Sequence, residues 1–167
     1  SQVAQLMAWV EQEYGGLHGI IHSAGMVADN LVLKKSAEEF LSVLAPKVIG
    51  GANLDEASRH LDLDFFAMFS SISGAFGNPG QADYAVANSF LDEFAQYRNG
   101  LVEKGERRGN TLAINWPLWA EGGMQAPIAV QKQLAQTTGM TPLSTNNGLD
   151  AFSRSILLGR QRSLVME

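Results

Sequence analysis

The chain has 167 residues, no cysteine and a formal net charge of -5, with 46% hydrophobic and 17% charged residues. That length suits one domain around one core, and the composition excludes disorder. The acidic balance excludes a sequence-independent nucleic-acid binder, which neutralises phosphates with clustered Lys and Arg, and the lack of thiols excludes disulfide frameworks and thiolate metal sites.

Val3, Leu6, Met7 and Val10 recur at helical spacing, so the chain opens in a helix that Gly15 and Gly16 stop. This opening has no basic n-region and is interrupted by Glu11 and Glu13, so it is no signal peptide. Residues 17–24 (LHGIIHSA) form a short apolar run ending at Gly25, as expected of a buried parallel strand. Ser36 with Glu39 three residues on is a capping box, opening a helix through Phe40, Val43 and Leu44. Pro46 is expected to interrupt or restart that helix, which then continues toward Leu61. Residues 64–71 (DFFAMFSS) predict a second strand, and 73–81 a loop containing Gly and Pro. A long helix follows over 83–98, with Ala87, Leu91, Phe94 and Ala95 on one stripe. Lys104, Arg107 and Arg108, interleaved with Glu103, Gly105, Glu106 and Gly109, read as a solvated polar turn. Residues 111–116 (TLAINW) form a third strand ended by Pro117. Helices are expected near 127–137 and 146–158, the latter opened by Asn146 or Asn147, and 163–166 makes a final short strand.

Alternation of strands and helices predicts an α/β fold: a Rossmann-like parallel sheet with helices on both faces. Ligands of such sheets bind beyond the carboxyl ends of the strands. That edge gathers residues 22–30, 70–81 and 116–124, all rich in Gly, Ser, Asn and Trp. No apolar run approaches the roughly 20 residues needed to span a bilayer, so a cytoplasmic protein with no membrane or nucleic-acid partner is expected.

Tyr84 and Asn88 stand four residues apart on the long helix and so project from one face. Ser71 ends the preceding strand, and Lys47 comes from the earlier helix. A phenol, a hydroxyl, an amide and an ammonium form a plausible kit for adding hydride to a ketone, because the developing alkoxide needs a proton and preorganised donors. A nearby lysine cation favours the phenolate and so lowers the tyrosine pKa. Ser71 would bond the carbonyl oxygen, and Asn88 would hold Lys47 or a relay water. Each residue also has a bland reading: a packing tyrosine, turn serines, a surface lysine. Asn88 is less bland, because asparagine is a poor helix former. Spacing alone leaves both readings open.

Four runs narrow the choice: IIHSAG (20–25), LAPKVIGGANL (44–54), FSSISGAFGNPGQADYAVANSFLDEFAQYR (69–98) and INWPLWAEGGM (114–124). Together they resemble the ketoreductase domains of modular polyketide synthases, within the short-chain dehydrogenase/reductase superfamily. The resemblance implies catalytic residues at Lys47, Ser71, Tyr84 and Asn88. Asn88 stands where the wider superfamily carries its Tyr-x-x-x-Lys lysine, a departure the modular ketoreductases share. It implies an NADPH site along His22, Ser23, Ala24 and Gly25 and along Asn115, Trp116 and Pro117, with Trp119 beside the nicotinamide and substrate. An aspartate at position 29 together with Phe76, where the opposite group has tryptophan, implies B-type reduction to a D-hydroxyl. The segment 27–29 (VAD) only partly matches the usual Leu-Asp-Asp. The implied substrate is a β-ketoacyl thioester on the phosphopantetheine arm of an acyl carrier protein, with neighbouring synthase domains as partners. A catalytically silent ketoreductase-like module and a fatty-acid-synthase reductase remain as alternatives. The first of these would lack the catalytic residues.

No Gly-rich phosphate turn of the G-x-G-x-x-G kind occurs in the sequence. Residues 1–167 are therefore expected to be the C-terminal, active-site portion of the domain, with the phosphate-binding N-terminal half absent. Such a fragment should bind NADPH poorly and reduce little on its own. Its sheet edge should pair with that half or with another copy.

Overall fold

The computed structural model describes residues 2–122, 124 and 126–167, apart from the side chain of Gln133. Helix α1 (Gln2–Tyr14) leads into β1 (Gly19–His22), and α2 (Ala37–Ala57) follows a 3-10 turn at Val32–Lys34. Strand β2 (Phe65–Ser71) runs into a short α3 (Ile72–Phe76) and the long α4 (Ala82–Glu103). Strand β3 (Asn110–Trp116), α5 (Ile128–Thr138), α6 (Thr145–Leu158) and β4 (Arg162–Leu164) complete the chain. The four strands form one parallel sheet in the order β1-β2-β3-β4, with β1 at one edge.

Side chains alternate along each strand, so the sheet carries a core on both faces. Ile20, Phe66, Met68 and Ala113 pack with Leu91 and Ala95 of α4 and Leu54 of α2 on one face. Ala67, Leu112, Ile114 and Trp116 pack with Phe152 and Ile156 of α6 on the other. Full burial of a Leu, Ile, Phe or Met side chain stabilises by roughly 1.5–3 kcal/mol. These two layers fix the strand ends, and with them the site.

Four local expectations are corrected. Pro46 lies inside an unbroken α2. It removes the hydrogen bond to the Ser42 carbonyl, but Ser42 is exposed, where water can replace that bond at little cost. Residues 73–76 of the expected loop are helical, within α3, where the Ser71 side chain accepts the Ser73 N–H and caps a single turn. Helix α6 is capped by Ser144, which accepts from Asn147 N, and not by Asn146 or Asn147. Helix α4 continues to Glu103, one turn beyond the expected end.

The supposed solvated turn also hides a structural cation. Arg107 is buried and donates from Nε and Nη2 to both oxygens of Asp55, at 2.9 and 3.0 Å. Arg98, wholly buried on α4, donates to Asp55 Oδ1 at 2.8 Å, Thr111 Oγ1 at 2.8 Å, and the Gly109 and Arg108 carbonyls. Its guanidinium lies 4.8 Å from the Phe66 ring centroid. This cluster ties α2 and α4 to the amino end of β3. Among the described residues, no helix is long and apolar enough to cross a membrane, and no three or more His, Cys, Asp or Glu side chains are grouped to hold a metal ion.

Candidate active site

At the carboxyl edge of the sheet the four expected side chains converge. Tyr84 sits in the first turn of α4, and Asn88 one turn below it. Asn88 is fully buried and donates from Nδ2 to the Tyr84 carbonyl at 2.7 Å. Gly74 of α3 permits this: a Cβ there would fall 2.9 Å from both Asn88 Cβ and Ser89 N, so a side chain would push α3 off α4. Ser71, the last residue of β2, lies beside the phenol, as does Asn88, and hydrogen bonding from both opposes the rise in its pKa. The phenol hydroxyl points to Met124 Sδ at 3.7 Å.

Lys47 is buried, and its ammonium stands 5.9 Å from the centroid of the Tyr84 ring. It donates to the Phe69 carbonyl at 2.7 Å rather than to Asn88. Burial pulls its pKa down to about 8, against the pull of the Asp92 carboxylate. The expected lowering of the Tyr84 pKa by this lysine is not what the structure shows. Burial raises the phenol's pKa, Asp29 adds to the rise, and Ser71 and Asn88 offset it only in part. With its ammonium turned to a backbone carbonyl, Lys47 lies over the ring instead of at the hydroxyl. The phenol therefore stays protonated through neutral pH.

Beneath these groups lies a polar floor that sequence reasoning had only in fragments. Asn115 Nδ2, with two protons to give, stands within hydrogen-bond distance of Ser70 Oγ, the Ser71 carbonyl and both oxygens of Asp92, while Arg162 reaches Asn115 Oδ1 and Asp92 Oδ2 at 3.1 Å each. Ser70 in turn donates to the Asn88 carbonyl at 3.1 Å. The Asn115 amide is thus committed under the site. Burial pushes the Asp92 carboxyl up, and its bonds with Asn115 and Ser70 and the charge of Arg162 hold it down.

The remaining expected residues are distributed around this centre. His22 is buried with its ring against Gly50 and Gly51 of α2, and burial and the charge of Lys47 lower its pKa. Gly25 follows Ser23 and Ala24 past the end of β1, and a Cβ on it would stand 3.1 Å from Lys47 Cε. Trp116 ends β3 just before Pro117, and its ring lies 4.9 Å from that of Trp119. Asp29 accepts two bonds from Gln81 Nε2, at 3.1 and 3.0 Å; Gln81 Oε1 accepts from Ser73, whose Oγ is 3.3 Å from that of Ser71. Phe76 is 72% exposed on the outer side of α3. Gln81 and Ser73 were missed because turn residues in a Gly-rich run carry no signal beyond their composition.

A parallel sheet with both faces covered and its polar residues gathered at the carboxyl edge defines a Rossmann-like α/β fold. The family model described as "KR domain" matches residues 1–121. Polyketide synthases PksN and PksL of Bacillus subtilis are 48% and 47% identical to it, each over 98% of this chain but only 3% and 4% of those proteins. A ketoreductase domain from the bacillaene assembly line superimposes with a TM-score of 0.96 at 48% identity, over 98% of this chain and 39% of that one. A ketoreductase from the first module of phoslactomycin biosynthesis in Streptomyces sp. HK803 gives 0.86 at 34%, over 99% of this chain and 37% of that one. The chain belongs to the KR domain family, the ketoreductase domains of polyketide synthases. It spans a small part of its curated relatives, and homologous domains sit within large multidomain synthases. Domains of this kind are oxidoreductases of the short-chain dehydrogenase/reductase type, which typically use a nicotinamide dinucleotide.

Proposed function

We propose that this chain carries the proton-transfer part of an NADPH-dependent ketoreductase, which reduces a β-ketoacyl thioester held by an acyl carrier protein to the D-hydroxyl product. The observation that carries the reading is the meeting of the Tyr84 phenol with Ser71, Asn88 and Lys47 at the carboxyl edge of a parallel sheet.

The residues present fit a nicotinamide nucleotide. Gly25 brings backbone close to Lys47, and the buried Asn88 Oδ1 and Trp116 Nε1 have no hydrogen-bond partner among the described residues. His22, Ser23, Ala24 and Gly25 would hold the cofactor from β1, and Trp116 and Pro117 from β3 over the Asn115 floor. When bound, NADPH would supply the hydride. The Tyr84 hydroxyl donates its proton to the ketone oxygen, an acid role that its raised pKa keeps available at neutral pH. Ser71 donates to the same oxygen and orients it. Lys47 keeps positive charge near the phenolate that forms, and Asn88 holds the helix turn on which Tyr84 rides. Asp29, joined through Gln81 and Ser73 to Ser71, supports B-type reduction, as does the absence of a tryptophan at Phe76. The phosphate-binding turn is assigned to the N-terminal half of the domain, since this sequence holds no such motif.

Tyr84→Phe in the intact domain is expected to lower turnover of a β-ketoacyl thioester by about 10³-fold, in line with the contribution of a positioned general acid. Far-UV circular dichroism should be unchanged. Wild-type turnover by this variant would refute the assignment. Chiral chromatography of the wild-type product should show the D-hydroxyl.

A further inference from the structure

Beside the site lies a buried ion pair that the reaction itself does not use. Lys35 Nζ stands 2.6 Å from Asp83 Oδ2, and the two side chains are 2% and 1% exposed. Lys35 also donates to the Ala28 carbonyl. The other Asp83 oxygen accepts the backbone N–H of Tyr84 at 2.9 Å. A bonded route therefore runs from the residue before Asp29, through Lys35 and Asp83, to the backbone of Tyr84. Two further links run parallel to it: Asn30 N to the Gly80 carbonyl at 2.9 Å, and Gln81 Nε2 to both oxygens of Asp29.

This pair is a poor device for stability alone. Taking two charges out of water is unfavourable, and apolar residues of the same volume commonly serve a fold as well or better. Lys35 also sits just before the Ser36 cap of α2, an end where the helix dipole disfavours a cation. Neither residue belongs to the two apolar cores. What the pair does do is join two segments at the candidate site: the loop after β1 with Asp29, and the start of α4 with Tyr84.

We propose that Lys35 and Asp83 are positioning residues that fix the Asp29 loop against the first turn of α4 and thereby set which face of the ketone meets the Tyr84 hydroxyl. The proposal rests on the ketoreductase reading above. The test uses the intact domain, a β-ketoacyl thioester and NADPH, with Lys35→Met, Asp83→Leu and the double variant. Each single variant strands a buried charge and is expected to lower the melting temperature. The double variant restores it to within a few degrees of wild type. It nevertheless retains an at least 5-fold larger fraction of the minor hydroxyl epimer and an about 10-fold lower kcat. If the single variants fail to fold, the double variant decides. A double variant with wild-type kcat and wild-type epimer ratio would overturn the proposal and leave a purely structural pair. Absence of turnover in the wild-type domain removes instead the reading on which the proposal rests.

Discussion

At the amino end of β3 the Asp55–Arg98–Arg107 cluster closes on itself, whereas at the carboxyl ends of β2 and β3 the Tyr84–Asn88–Lys47 cluster leaves polar atoms over. In the first, all three nitrogens of Arg98 and both oxygens of Asp55 are bonded within the protein. In the second, Asn88 Oδ1, Trp116 Nε1 and His22 Nε2 are buried without a hydrogen-bond partner among the described residues. Leaving a buried polar group unpaired opposes folding. One sheet thus holds buried polarity in two states: satisfied, where it fastens helices to strands, and unpaired among the described residues, at the edge where the proposed cofactor would sit.

Mutations at the two ends should separate these uses. The largest effect on stability is expected from Asp55→Ala, which strands two guanidiniums and should remove about 3–5 kcal/mol in urea unfolding. Turnover per folded molecule should not change. A loss below about 1 kcal/mol would break the contrast. Lys47→Met should act in the opposite sense. The Lys47 pKa of about 8 in the fold lies below the ordinary lysine value of about 10.4, so the unfolded chain holds that proton more tightly. Burying the charge therefore opposes folding below pH 8, and the penalty fades as pH rises from about 8 toward 10.4. Methionine carries no such proton. The variant should gain about 1–2 kcal/mol at pH 7 after losing the bond to Phe69, with the gain shrinking by pH 10, while its turnover falls. Equal unfolding curves at both pH values would remove the charge argument. The smallest shift is expected for Asn88→Ala. It removes an unpaired oxygen together with one bond to the Tyr84 carbonyl, so stability should stay within about 1 kcal/mol while kcat drops about 10-fold or more.

The two ends also differed in how far the sequence revealed them. The strands were legible because short apolar runs such as Phe65 to Phe69, bounded by polar and turn residues, suit a buried parallel strand. Lys47, Ser71, Tyr84 and Asn88 were legible because their spacing resembles a family pattern, and the structure brings all four together. Arg98 and Asp55 were not, since one charge on each of two amphipathic helices has the same pattern whether it meets water or the other. Arg107 was misread for the same reason, its neighbours being solvated. Helix α3 was hidden because ISGAF is turn-like by composition, whereas in the fold the Ser71 side chain caps it at Ser73 N and Gly74 lets it pack against α4. Lys35 left one trace: a cation at the start of a helix, where the dipole is unfavourable, which invites the question of what pairs with it.

The sheet's spatial order, β1-β2-β3-β4, repeats the order in which the strands occur in the chain. Each strand made after the first therefore finds its hydrogen-bonding neighbour already synthesised. Pairing of these four strands can follow translation without waiting for a distant partner, and the strand ends that carry Ser71 and Trp116 are aligned only as each later strand arrives.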